Sequence, residues 1–165
     1  MSLQGSRVVI VGGSSGLGLA TARAALARGA RVAVTGRSPE RLRAVQSELG
    51  EGLKTAAVDA LDEAAMQTFL QSRDGIDHLF VTIGSYVADH HLEPAMDTLR
   101  GPLDTRLVSA LHATKYALAK MSERGSITLM SGTAVARPIP GTSMSSASCG
   151  AVEGLMRGLA VDLAP

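Results

Sequence analysis

Five short runs rich in β-branched residues recur along the chain: RVVIV (7–11), RVAVT (31–35), KTAAV (54–58), HLFVTI (78–83) and SITLM (126–130). Each is apolar almost throughout rather than at alternate positions, which is the pattern of a strand covered on both faces. Helical periodicity fills the intervals. Ser38, Pro39 and Glu40 read as N-cap, first helical residue and first-turn acid; Leu42, Val45 and Leu49 then form an apolar stripe, and Gly50 ends it. Asp62 is placed to cap a further helix with Ala65, Met66, Phe69 and Leu70 on its apolar face. A helix from about Pro102 to Met121 carries Leu107, Leu111, Thr114, Leu118 and Met121, and a last one carries Val152, Leu155, Met156, Leu159 and Leu163. Strands alternating with helices predict a parallel α/β sheet with right-handed crossovers.

Composition narrows the rest. A chain of 165 residues is expected to form one domain, 1–165, burying roughly 70% of its unfolded surface. Aromatic residues make up only 2%, so the core must be built from Ala, Val, Leu, Ile and Met. A formal charge of +1 leaves no polyanion footprint, and nucleic acid is not an expected partner. The single cysteine, Cys149, cannot form an internal disulfide and fits a reducing compartment. The first apolar run, Val8–Val11, breaks at Gly12-Gly13, too short for a signal segment or a membrane span. A soluble cytoplasmic protein without membrane contact is the expectation. His90 and His91 are adjacent, and His78 and His112 have no ligand-spaced neighbour, so no metal site is expected.

The segment VIVGGSSGLGLATARAAL places Gly12, Gly16 and Gly18 where a strand turns into a helix. Gly12 permits the tight turn, Gly16 lets a pyrophosphate approach the backbone, and Gly18 lets helix and strand pack closely. With Ser14, Ser15 and Leu17 they form a candidate phosphate cradle at a helix N-terminus, whose N–H groups and dipole favour an anion. The spacing is G-x-x-x-G-x-G rather than G-x-G-x-x-G. Twenty residues after Gly16, where an acid would take a ribose 2′-hydroxyl, stands Gly36, followed by Arg37 and Ser38. Arg37 can pair with a 2′-phosphate, which favours NADP(H) over NAD(H), or it is a solvated surface charge. Asp59, next to Ala60, suits either an adenine amino group or the start of a helix. The longest irregular stretches, 84–97 and 131–144, follow strand C-termini, where open α/β sheets bind ligands.

VGGSSGLG, the TGR after the second run, VDALDEAA and above all GSITLMSGTAVARPIPG with AVEGLMRGLAVDLAP resemble the short-chain dehydrogenase/reductase family from about residue 5 to 165. The resemblance implies a three-layer Rossmann-like doubly wound sheet of strand order 3-2-1-4-5 and a bound NAD(H) or NADP(H), with Gly84 among the cofactor residues. It also implies hydride transfer between nicotinamide and a small-molecule carbonyl or alcohol, and a homo-oligomer through helices 103–121 and 146–163. The family continues past the equivalent of AVDLAP into further strands, so the fifth run would be an apolar edge, and a shortened C-terminus or a completing partner is expected.

The family's Asn, Ser, Tyr and Lys positions fall at Arg106, Gly132, Ser145 and Cys149. A phenol of pKa about 10 can be brought toward neutrality by a nearby ammonium, whereas a serine hydroxyl has no comparable route and a thiol carries no permanent positive charge. Substitutes are few. Ser131 either orients a carbonyl or is a polar group at a strand end. Arg106 either acts as an electrophile or pairs with an acid, Asp104 and Asp162 being candidates. Ser145 and Cys149, one helical turn apart, form a thiol–hydroxyl pair, or Cys149 is an apolar filler. Lys115 and Tyr116 read as packing and surface residues. Three functions remain open: an NADP(H)-dependent oxidoreductase with a non-standard site, a catalytically inactive NADP(H)-binding sensor or partner subunit, and a scaffold-only interaction protein.

Overall fold

The computed structural model describes residues 2–88 and 90–164, with no account taken of the His91 side chain. Five strands, β1 (Arg7–Val11), β2 (Arg31–Gly36), β3 (Leu53–Ala57), β4 (Ile76–Val81) and β5 (Met121–Leu129), form one sheet of order β3-β2-β1-β4-β5. β1 runs parallel to β2 and β4, and β2 to β3. Ile10 lies level with Val34 on one side and Phe80 on the other. The doubly wound sheet and its order match the expectation from the sequence.

Both faces of the central strands are covered, which accounts for their near-continuous apolarity. On one face Val8, Ile10, Val32, Val34 and Leu53 form a cluster with Ala22 and Ala25 of helix α1 (Gly16–Leu26) and Leu42 and Val45 of α2 (Pro39–Leu49). Val9, Val11 and Ala33, which point the opposite way along the same strands, are buried too. Helix α3 (Glu63–Gln71) buries Met66, Phe69 and Leu70. The caps are those the residue types dictate: Ser38 accepts from the Arg41 N–H and Asp62 from the Ala65 N–H. At the other end of the sheet, Asp77 of β4 accepts from the Arg7 backbone N–H at 2.8 Å and from its guanidinium at 2.9 and 3.0 Å. That pairing holds the Asp77 carboxyl well below the usual carboxylate range.

The predicted 102–121 helix is corrected in both extent and buried face. The chain is helical from α4 (Met96–Leu103) through a π-helical segment (104–108) and α5 (Ser109–Ala117), followed by a short 3-10 turn. Met121 already belongs to β5. Pro102 lies inside the helix and has no N–H to donate. The wider turn follows directly, with the Thr105 hydroxyl donating to Gly101 O at 2.7 Å and the Ser109 hydroxyl to Thr105 O at 2.5 Å. An inserted residue rotates what comes after it, so the buried side chains are Ala110, Ala113, Thr114 and Ala117, while Leu111 and Leu118 stay exposed. The last helix, α6, spans Ser143–Asp162 and buries Ser145, Ser148, Cys149 and Val152.

Internal packing divides the chain into two compact units, Met1–Thr82 with Leu111–Thr128 and Ile83–Ala110 with Leu129–Pro165. The first holds nearly all of the sheet, α1–α3 and most of α5. The second holds α4, the π segment, α6 and the loops after β4 and β5. No helix among the described residues is long and apolar enough to cross a membrane.

Candidate functional site

In the first unit the β1–α1 turn has the conformation its glycines permit. Gly12 and Gly16 have φ of +94° and +54°, a region where a Cβ is strained. The N–H groups of Gly12 and Gly13 both donate to Thr35 O, at 3.2 and 2.9 Å, which fastens the turn to the end of β2. A Cβ on Gly18 would collide with the carbonyl of Gly12, so α1 can approach β1 only without one. A Cβ on Gly13 would lie 2.5 Å from Val34. Above Gly16 there is open space.

The start of α1 differs from its neighbours. α2 and α3 open with a capping side chain and a first-turn acid, whereas Ser15 makes no side-chain cap and α1 has no acid in its first turn. Its first N–H groups and dipole are therefore left for an external anion, and a phosphate fits this cradle. Leu17 projects into solvent.

Gly36 ends β2, and a Cβ there would stand 2.7 Å from Ser14 Oγ, so any larger residue at this position would have to displace the Ser14 side chain. Arg37 follows, exposed, while the Ser38 hydroxyl accepts from the Arg41 N–H as the cap of α2 and keeps its own proton to donate. Asp59 is exposed and accepts from the Leu61 N–H at 3.0 Å, and Ala60 is buried. Thr82, at the end of β4, donates to Val11 O and Gly12 O at 3.2 and 3.0 Å. The contacts of Gly13, Gly36 and Thr82 escape a linear reading because each answers to a residue more than 20 positions away in sequence.

The second unit holds Arg106, Gly132, Ser145 and Cys149, the positions at which the sequence resemblance leads one to expect Asn, Ser, Tyr and Lys. Ser145 is 8% exposed, and its Oγ has no hydrogen-bond partner; Cys149 is 2% exposed. The two are therefore not hydrogen-bonded to each other. A Cβ on Gly132 would lie 3.1 Å from Cys149 Sγ, so the small residue at each position accommodates the other. The Ser131 hydroxyl faces Glu153 Oε1 at 2.9 Å and Cys149 O at 3.4 Å, which commits its one proton within the protein.

Arg106, in the π segment, is not paired with either expected acid. Its Nε–H donates to Ser148 Oγ at 3.3 Å and an Nη1–H to Met130 O at 3.2 Å, while Asp104 faces Arg100 at 3.9 Å. The guanidinium lies against Gly84, where a Cβ would come within 2.6 Å of it. Because the guanidinium ends a flexible side chain, a larger residue at 84 would displace Arg106.

Lys115 and Tyr116 do not rebuild a Tyr–Lys pair. Both bind Glu63, Lys115 at 2.8 Å, and with Lys115 the larger cause they hold the Glu63 carboxyl down at about 2. His78 meets Ser126 Oγ at 2.8 Å and His112 meets Ala60 O at 3.0 Å. Among the described residues no three His, Cys, Asp or Glu side chains gather as a metal site.

The model of the short chain dehydrogenase family matches residues 6–165. Among similar proteins is the short-chain dehydrogenase/reductase malC of Malbranchea aurantiaca, 31% identical over 99% of this chain and 69% of its own length. Another is the NADP-dependent 3-hydroxy acid dehydrogenase YdfG of Salmonella typhi, 32% identical over 94% of this chain and 66% of its own. A solved short-chain dehydrogenase/reductase from Serratia marcescens superposes with a TM-score of 0.92 at 30% identity, covering 99% of this chain and 70% of that one. The chain thus spans roughly two thirds of the length of these three proteins.

Proposed function

The chain belongs to the short-chain dehydrogenase/reductase family, and we propose that it binds NADP(H) and works as an oxidoreductase on a carbonyl or alcohol substrate through a non-standard site. The observation that carries the reading is the start of α1: a positive-φ glycine turn leading into a helix with neither a cap nor an acid. Gly12, Ser14, Ser15, Gly16, Leu17 and Gly18 would hold the pyrophosphate. Arg37, with Ser38, would take the 2′-phosphate, and the region of Asp59 and Ala60 the adenine. Gly36 supports the phosphorylated cofactor because it presents no carboxylate to compete for a ribose hydroxyl. The YdfG relative is named as NADP-dependent.

Bound NADP(H) would supply the hydride. The protein has less to offer for the accompanying proton. Ser145 has a hydroxyl in place of a phenol, Cys149 has no fixed positive charge, Gly132 has no donor, and Ser131 is engaged with Glu153. General acid assistance is typically worth 10²–10⁴-fold in rate, so turnover is expected to be slow, with the proton supplied by water. These same residues favour a second reading, cofactor binding without turnover as a sensor or partner subunit.

A fluorescence titration with NADPH and, separately, NADH tests the first step. Saturable binding with NADPH preferred supports both readings; binding of neither refutes both. Single-turnover reduction of a carbonyl panel by the NADPH-loaded chain then separates them: reduction in any member supports the oxidoreductase, and none supports the sensor.

A further inference from the structure

Arg106 is half-buried in the second unit and has no acidic partner among the described residues. Of the five N–H groups of a guanidinium, one reaches a serine hydroxyl and one a backbone carbonyl, and no other acceptor among the described residues takes the rest. Two acids of this unit are engaged elsewhere, Asp104 with Arg100 at 3.9 Å and Glu153 with Ser131 at 2.9 Å and Arg157 at 3.8 Å. A partly desolvated cation with only neutral partners is incompletely compensated, and the neutral partners fix its plane without cancelling its charge.

A second observation lies beside it. Ser148 accepts from Arg106 and donates to Ser145 O at 2.9 Å, so the guanidinium abuts the turn of α6 that carries Ser145. The Ser145 hydroxyl is more than nine-tenths buried and has no hydrogen-bond partner. A buried hydroxyl left unpaired costs about 1–3 kcal/mol. One ligand class meets both needs, a group with two acceptor oxygens and a negative charge. A planar guanidinium matches a carboxylate through parallel N–H···O bonds, and a hydroxyl can donate to the same anion.

We propose that Arg106, helped by Ser145, is a carboxylate-recognition site, and that the substrate is a small oxo or hydroxy carboxylic acid rather than a neutral carbonyl compound. The substrate assignment rests on the oxidoreductase reading; anion recognition at Arg106 does not. The π segment has a role in this arrangement, since the widened turn sets the direction of Arg106 against Gly84, Met130 and Ser148.

The test uses the whole chain without cofactor, titrated by calorimetry with oxamate and with its neutral counterpart oxamide. Oxamate is expected to bind at least tenfold more tightly than oxamide. Arg106→Gln should remove that preference, and Ser145→Ala should weaken oxamate several-fold while the melting temperature holds or rises. Equal affinity for the two probes, or no binding of either at millimolar concentration, overturns the site. So does oxamate binding that a folded Arg106→Gln variant leaves unchanged. If Arg106→Gln fails to fold, the oxamate preference of the parent chain and the several-fold weaker oxamate binding of Ser145→Ala decide the matter. An NADPH titration of the same preparation distinguishes the two levels: oxamate without NADPH binding refutes the cofactor reading alone, and NADPH without oxamate binding refutes the carboxylate site alone.

Discussion

The β1–α1 turn and the opening of α6 are both helix starts without a capping side chain or a first-turn acid, yet they differ in what the sequence retains. At the first, the work is done by backbone: positive φ at Gly12 and Gly16, and an approach of α1 to β1 that only Gly18 allows. At the second, any function would rest on side chains, and those present are Ser145 and Cys149, both buried, with Gly132 close to the Cys149 thiol. Backbone function depends on absent atoms and is lost by almost any substitution. Side-chain function depends on particular groups and can vanish while the fold persists. The contrast indicates that constraint on the cofactor turn is steric, whereas constraint on the start of α6 is mutual packing.

Breaking the first region should have the largest effect. Gly18→Ala places a Cβ against the backbone of Gly12, with no flexible group to yield. A loss of about 3 kcal/mol and of NADPH binding is expected, read by urea unfolding and fluorescence titration. If the variant is as stable as the parent, the turn is looser than its geometry indicates.

Restoring the second region tests its packing. Ser145→Tyr with Cys149→Lys puts a large ring and an ammonium where exposure is 8% and 2%. The double variant is expected to lose about 1–3 kcal/mol without a gain in carbonyl reduction. Unchanged stability together with faster reduction would show a vacated site that still has room, and would sharpen the difference between the two regions into one of chemistry alone.

A smaller and selective effect is expected at Arg37. Arg37→Ala should weaken NADPH by about tenfold or more, the worth of a charge-assisted contact, and leave NADH nearly unchanged. Equal losses for both cofactors would remove the 2′-phosphate assignment while leaving the glycine turn intact.

The smallest effect separates the far end of the sheet from both regions. Asp77 is held below its ordinary range chiefly by Arg7, so its contribution is present above the unfolded value near 3.9 and is lost as pH falls through the folded value. Asp77→Asn should lower stability at pH 7 by about 1 kcal/mol and flatten the decline between pH 4 and 2 (roughly the window from the unfolded value downward). NADPH binding at pH 7 should not change.

Much of the fold was legible because it rests on local rules. β1, β2 and β4 are read from near-continuous apolarity, α2 from Ser38, Pro39 and Gly50, and α3 from Asp62, each a property of adjacent residues, whereas β5 starts at Met121, five residues before the apolar run 126–130. The 102–121 helix was misjudged because a π turn rotates its faces, and a 3.6-residue period cannot announce an inserted residue. Pro102 was the one local signal that regular hydrogen bonding must fail there. Within the candidate site the glycines and the replaced positions were readable, but the partners of Arg106 were not. The sequence offered Asp104 or Asp162 as its acid; the folded chain offers Ser148 and Met130 instead.

Sequence alone determined the layering of strands and helices, the anion-ready turn at Gly12–Gly18 and the absence of a phenol–ammonium pair at 145 and 149, since these follow from backbone freedom and functional groups. Tertiary structure decided which neutral groups surround Arg106, that Ser131 is committed to Glu153, and that Ser145 is buried without a partner. Those facts arise from contacts between segments tens of residues apart, and no local period or motif records which side chains such contacts satisfy and which they leave waiting for a ligand.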